Sequence, residues 1–167
     1  MRDPRPVPDP VGPGQESVWD YPRPPRLERS REHVVVRVAG VVVAETAAPW
    51  RMLETSHPPV YYVPREDVDE RLLEPIDRMT FCEFKGAAHY ADLVVGARRV
   101  PAACWWYPDP PPAYTAMAGA VAFYPHLVDE ATVDGEVVRA VQGDFYGGWV
   151  TSRVVGPFKG PPGTRGW

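Results

Sequence analysis

The chain has 167 residues, one domain's worth and long enough to bury a core without disulfide staples. A net charge of −4 with no basic stripe argues against a nucleic-acid partner, and no apolar run approaches the roughly 20 residues of a membrane span, so no membrane association is expected. The start lacks an apolar signal core, which points to the cytoplasm, where Cys82 and Cys104 stay as free thiols. The 22 prolines shorten helices and break sheets, and the Ala, Val, Pro and Arg bias with only two lysines suggests a GC-rich bacterial source.

Taken in chain order, residues 1–14 are rich in Pro and Gly and read as a disordered leader. The stretch SVWDYPRPPRLERS reads as an extended arm that packs Trp19 and Tyr21 onto a β domain spanning 15–141. In HVVVRVAGVVVAET, Val34, Val36 and Val38 fall on one face and Ala39-Gly40 marks a hairpin turn. RMLETSHPPVYYV gives two short strands split by Pro58-Pro59. PREDVDERLLEP predicts one short helix, with Val68, Leu72 and Leu73 on one side. The run from Thr80 to Tyr107 predicts three strands with turns at Lys85-Gly86 and Gly96, and Pro101 puts the third at an edge or a bulge. PPPAYTAM predicts a helical turn, followed by a strand over 121–124, and EATVDGEVVRAV predicts a hairpin with a type I′ turn at Asp134-Gly135. The tail, 142–167, is Gly-rich but too aromatic for a linker, and it is expected to pack on the domain with one strand-like piece over 149–155.

Five motifs occur in order: ESVWDYPRPPR, LETSHPPVYYVPREDV, FCEFKGAAHY, WWYPDP and GAVAFYP. Together they resemble the domain-of-unknown-function 427 family of small bacterial and fungal proteins, over roughly residues 16–133. The resemblance implies a mostly β, compact, β-tent-like fold of two sheets meeting at an angle, with one or two short helices. A nucleotidyltransferase label travels with the family, yet this chain has no Gly-Ser followed by a carboxylate pair. Its one Asp-x-Asp is Asp67-Val68-Asp69. Many β-tent proteins hold zinc on two Cys-x-x-Cys knuckles; this chain has none, and His33, His57, His89 and His126 are scattered singly. No metal and no cofactor are expected.

Candidate chemistry centres on Glu54 and Lys85. A carboxylate in the apolar-flanked strand MLETS can act as acid or base if burial raises its pKa. A lysine in a chain that otherwise writes arginine suggests a need for an ammonium group, here to stabilise an anion. Alternation places Tyr90 with Asp92, and Trp105 with Tyr107, on shared faces, while Trp106 goes with Cys104. Tyr62, Cys82, Tyr90, Trp105 and Tyr107 are the expected ligand-binding wall, with Glu54 and Lys85 as the catalytic pair. Ser56-His57 carries little weight, because neighbours on a strand face opposite ways, and His57 before Pro58 reads as a loop residue. The leading function is small-molecule binding, with metal-independent acid/base catalysis as its enzymatic form. One alternative is a protein-interaction module, in which arm and tail dock onto a partner or a second copy in a homodimer. The other is a redox or transfer enzyme that depends on Cys82.

Overall fold

The computed structural model describes residues 5–143 and 146–167. The chain opens with β1 (Glu16–Ser17), a 3-10 turn (Val18–Asp20) and β2 (Arg26–Arg29). β3 (Val34–Val38), β4 (Val41–Thr46), β5 (Trp50–Leu53) and β6 (Val60–Tyr62) follow. Next come the long strands β7 (Leu73–Cys82), β8 (Gly86–Val95) and β9 (Arg98–Trp106), then a 3-10 segment (Pro112–Met117). β10 (Val121–Phe123), β11 (Glu130–Val133), β12 (Glu136–Val137), β13 (Arg139–Ala140), β14 (Trp149–Val150) and β15 (Val154–Val155) complete it.

The fold is mostly β. Two four-stranded antiparallel sheets dominate, one ordered β10-β9-β8-β7 and the other β12-β11-β3-β4. A three-stranded sheet, β2-β5-β6, joins them, with two short ribbons, β1-β15 and β13-β14. The main core lies between the large sheets and holds Val34, Val36, Val38, Leu93, Phe123 and Trp149. The Val34/Val36/Val38 face is fully buried, as strand alternation requires. The hairpin turn at Ala39-Gly40 and the predicted I′ turn at Asp134-Gly135 both have left-handed pairs: Ala39 and Gly40 at φ 51° and 75°, and Asp134 and Gly135 at φ 49° and 80°. Pro101 sits at a bulge. The β8–β9 register slips between Ala91 and Leu93, and Asp92 fills the irregularity by accepting from Ala102 N–H (2.8 Å) and pairing with Arg99 (2.8 Å).

Two expectations need correction. The helix over PREDVDERLLEP does not form. Two separate 3-10 turns, Arg65–Asp67 and Glu70–Leu72, flank Val68, which bridges to Ala44. The Asp69 carboxylate accepts from Arg71 N–H, which favours a turn over a helix interior, and Pro75 pairs with Ala91 inside β7. The tail piece over 149–155 is not one strand either. β14 and β15 are separated by a turn closed by Val154 N–H to Thr151 O (3.3 Å).

The described part of the leader, residues 5–14, has no regular structure but touches the domain. Asp9 N–H donates to Gly156 O at 2.8 Å, and the Arg5 guanidinium lies 5.2 Å from the Trp19 ring centre. Among the described residues no helix is long and apolar enough to cross a membrane.

Candidate functional site

One face of the β10-β9-β8-β7 sheet does not pack on the main core. It turns toward β5 and β6 and builds a second apolar cluster around Tyr62, Tyr90, Trp105, Tyr107 and Met117. Alternation selects the side chains. Tyr62 comes from β6, Thr80 and Cys82 from β7, Tyr90 from β8 and Trp105 from β9, with Tyr107 just beyond its end. The cluster is incompletely filled and leaves a cavity of about 370 Å³. All seven residues expected from the sequence line it: Glu54, Tyr62, Cys82, Lys85, Tyr90, Trp105 and Tyr107. Asp92 and Trp106 lie outside it, and Tyr61, on the other side of β6, donates to Glu32 at 2.9 Å.

Glu54 reaches the cavity from the turn after β5. His57 N–H donates to Glu54 O (3.0 Å), and Ser56, third in the turn, has φ 73°. A positive φ at that position is the mark of a type II turn, where glycine is the usual occupant. Ser56 is fully buried, its Oγ has no hydrogen-bond partner among the described residues, and it does not line the cavity. Its backbone is held on both sides, with N–H donating to Val18 O (3.0 Å) and C=O accepting from Lys159 N–H (2.8 Å). The turn brings Glu54 and His57 side by side. The carboxylate lies 3.3 Å from Arg23 and 3.7 Å from His57 Nδ1. His57 Nδ1 is 2.9 Å from Thr55 O. A carbonyl can only accept, so this nitrogen carries the proton and Nε2 is left as the basic one. Burial lowers the His57 pKa, and the nearby Glu54 carboxylate only partly offsets it, so the ring is neutral near pH 7.

Lys85 and Arg78 supply the positive charge. The Lys85 ammonium lies 5.5 Å from the Tyr107 ring centre and the Arg78 guanidinium 4.5 Å from that of Tyr90. Lys85 is not paired with Glu54, whose partners are Arg23 and His57. Tyr90 and Thr80 share a hydroxyl hydrogen bond of 2.8 Å. The Tyr62 hydroxyl is buried beside the Trp105 indole. Burial pushes the phenols of Tyr62, Tyr107 and Tyr124 well above their usual range, so each keeps its proton.

The tail closes one wall with Tyr146, Gly147 and Gly148. A Cβ on Gly147 would fall 2.1 Å from the Trp105 ring, and one on Gly148 2.7 Å from Pro58 O, so only glycine lets this backbone lie so close. The Tyr146 ring meets that of His57 edge-on at 5.3 Å.

Sequence reasoning missed His57, Arg78, Tyr124 and the glycine wall. His57 does lie in a turn, as its place before Pro58 suggests, but nothing local says that this turn sets its ring beside Glu54 in the cavity. The Gly-rich tail contains Gly147-Gly148, yet nothing local says that Trp105 lies beneath this pair. Among the described residues no cluster of three or more His, Cys, Asp or Glu side chains is arranged to hold a metal ion. A family model described as a domain of unknown function (DUF427) matches residues 26–134, which contain every cavity residue except the tail wall. No curated protein matches the chain.

Proposed function

This chain belongs to the domain-of-unknown-function 427 family, and we propose that it binds a small organic molecule in the Tyr62–Trp105 cavity and catalyses proton transfer on it. What carries the reading is one juxtaposition. A carboxylate and a neutral imidazole from the turn after β5 share an aromatic-walled cavity with a thiol and an ammonium from the β7–β8 hairpin. Core packing does not call for so many polar groups in one apolar cluster. Glu54 and His57 are the acid/base couple: Nε2 takes the proton, and the adjacent carboxylate stabilises the imidazolium that results. Lys85 balances negative charge on the bound molecule.

Native mass spectrometry of the purified full chain tests this. The wild type should retain a small molecule, and Glu54→Gln and Lys85→Met should lose it while keeping the wild-type melting temperature. A wild-type chain that carries nothing, and that no member of a metabolite library stabilises, would overturn the reading.

A second reading concerns the same cavity. Cys82 lines it and is a free thiol, so thiol transfer chemistry is open to this site. Iodoacetamide alkylation at Cys82 far faster than at an exposed model thiol would favour it. The interaction-module alternative has less support. The arm and tail aromatics engage each other, with Trp19 Nε1–H donating to Pro157 O (2.9 Å) and the Trp19 and Trp167 rings 5.6 Å apart.

A further inference from the structure

The arm and the tail are both laced to the turn that carries Glu54 and His57. On the arm, Val18 O accepts from Ser56 N–H (3.0 Å), Tyr21 O from the Thr55 hydroxyl (2.6 Å) and Pro22 O from Thr55 N–H (3.2 Å). Arg23 comes next, held between prolines. Its guanidinium donates to Thr55 O at 3.0 Å and reaches the Glu54 carboxylate at 3.3 Å. On the tail, Lys159 N–H donates to Ser56 O, and the Lys159 ammonium lies 5.8 Å from the centre of the Tyr146 ring that packs on His57. The charged and titratable groups around the imidazole are thus Glu54 on its own turn, Arg23 on the arm, and Tyr146 and Lys159 on the tail, with Arg78, Cys82 and Lys85 elsewhere on the cavity wall. The Glu54 and His57 side chains are only 21% and 16% exposed, so water screens nearby charges weakly.

From this geometry we infer that Arg23 and Lys159 are positioning residues: one cation from the arm and one from the tail hold His57 as a free base beside the Glu54 carboxylate. This rests on the proposal that Glu54 and His57 transfer the proton. A carboxylate 3.7 Å from an imidazole by itself favours the imidazolium, which has no lone pair left to take a proton. Arg23 lies closer to that carboxylate than His57 does and offsets its pull. Burial lowers the His57 pKa, and the Lys159 and Arg23 charges push it the same way. Arg23 also shares the Thr55 carbonyl with His57 Nδ1, so it steadies the peptide group that orients the ring. Neither cation lines the cavity, so each acts through the couple rather than on the bound molecule.

NMR titration of the His57 ring on the full chain tests this without any ligand, with His57→Gln identifying the signal. Arg23→Gln and Lys159→Gln should each raise the His57 midpoint by about 0.5 pH units or more. Arg23→Lys and Lys159→Arg keep the charge and should titrate close to the wild type. Either cation carries the test if a variant of the other fails to fold. A midpoint that stays put or falls in the Gln variants would overturn the inference and leave the cavity reading intact. So would equal rises in Arg23→Gln and Arg23→Lys, which would mark a packing effect rather than a charge. A wild-type chain that retains no small molecule in the native mass spectrometry, and that no metabolite stabilises, would instead remove the reaction these two residues serve, whatever the titration reads.

Discussion

His57 shows how one residue's surroundings decide its chemistry. Its Nδ1 proton is committed to Thr55 O at 2.9 Å, and its ring is packed against Tyr146 at 5.3 Å. Burial favours the neutral form, so the native pKa lies below the ordinary value of 6.5. In the unfolded chain the same ring titrates near 6.5 and binds more protons at mildly acid pH. Linkage then makes stability rise as pH climbs toward the unfolded pKa and level off above it. Acidification from pH 7 removes that contribution, until the native pKa is also passed. Urea unfolding of the wild type and of His57→Gln between pH 5 and 7.5 should show a steeper loss on acidification for the wild type. The ring should titrate below 6.5 by NMR, with the proton on Nδ1. A ring titrating above 6.5 would mean that the Glu54 charge outweighs burial.

At the scale of elements, turns and strands differ in how openly they announce themselves. Asp134-Gly135 carries its turn in its own residues, since left-handed backbone at both positions selects just such a pair. The Glu54–His57 turn hides its nature, because Ser56 occupies a φ of 73° where glycine would be expected, and buries a hydroxyl with no partner among the described residues as well. Such strain persists where a function rewards it. Ser56→Gly should relieve both costs, against an added backbone entropy of roughly 0.5–1 kcal/mol. A net stabilisation of about 1 kcal/mol in urea unfolding is expected. A loss of stability instead would show that the Ser56 side chain is well accommodated. β7 faces a different problem as the edge of its sheet, with Met79 and Phe81 exposed. Pro75, the charges of Asp77 and Arg78, and the bulge between Ile76 and Met79 blunt that edge against strand addition.

Across the whole molecule, the arm and the tail are tied to each other and to the domain. β1 pairs in parallel with β15, and Glu16 N–H donates to Arg153 O at 2.8 Å. The fully buried Arg51 guanidinium bonds Glu16 on β1 and Glu28 on β2, and Arg153 reaches Glu32 at 2.9 Å. Trp149 enters the main core, stacks on Tyr61 at 5.1 Å and donates to Phe123 O at 3.0 Å. Deleting residues 143–167 would strip this core residue and expose the Tyr61 face. The loss from one buried tryptophan alone is about 3–5 kcal/mol. The shortened chain should melt well below the full chain or aggregate; an unchanged melting temperature would make the tail a free appendage.

Local chemistry by itself determined much of this protein. β-branched runs broken at Ala39-Gly40, Lys85-Gly86, Gly96 and Asp134-Gly135 specify the hairpins, because strand period and turn geometry depend on adjacent residues. The same alternation put Tyr62, Cys82, Tyr90 and Trp105 on faces that could meet. Only the tertiary structure decided that they do meet, since one sheet face turns away from the main core toward β5 and β6. It also decided that Glu54 answers to Arg23 and His57 rather than to Lys85, and that residues 146–148 close the wall over Trp105. Those pairings join segments far apart in the chain, and contacts at such separation leave no periodicity for a sequence reader to find. The missing helix over 64–75 follows from the same limit: its few apolar side chains look helical in isolation, but backbone pairing of β7 with β8 and the Val68–Ala44 bridge satisfies that stretch as strand and turns.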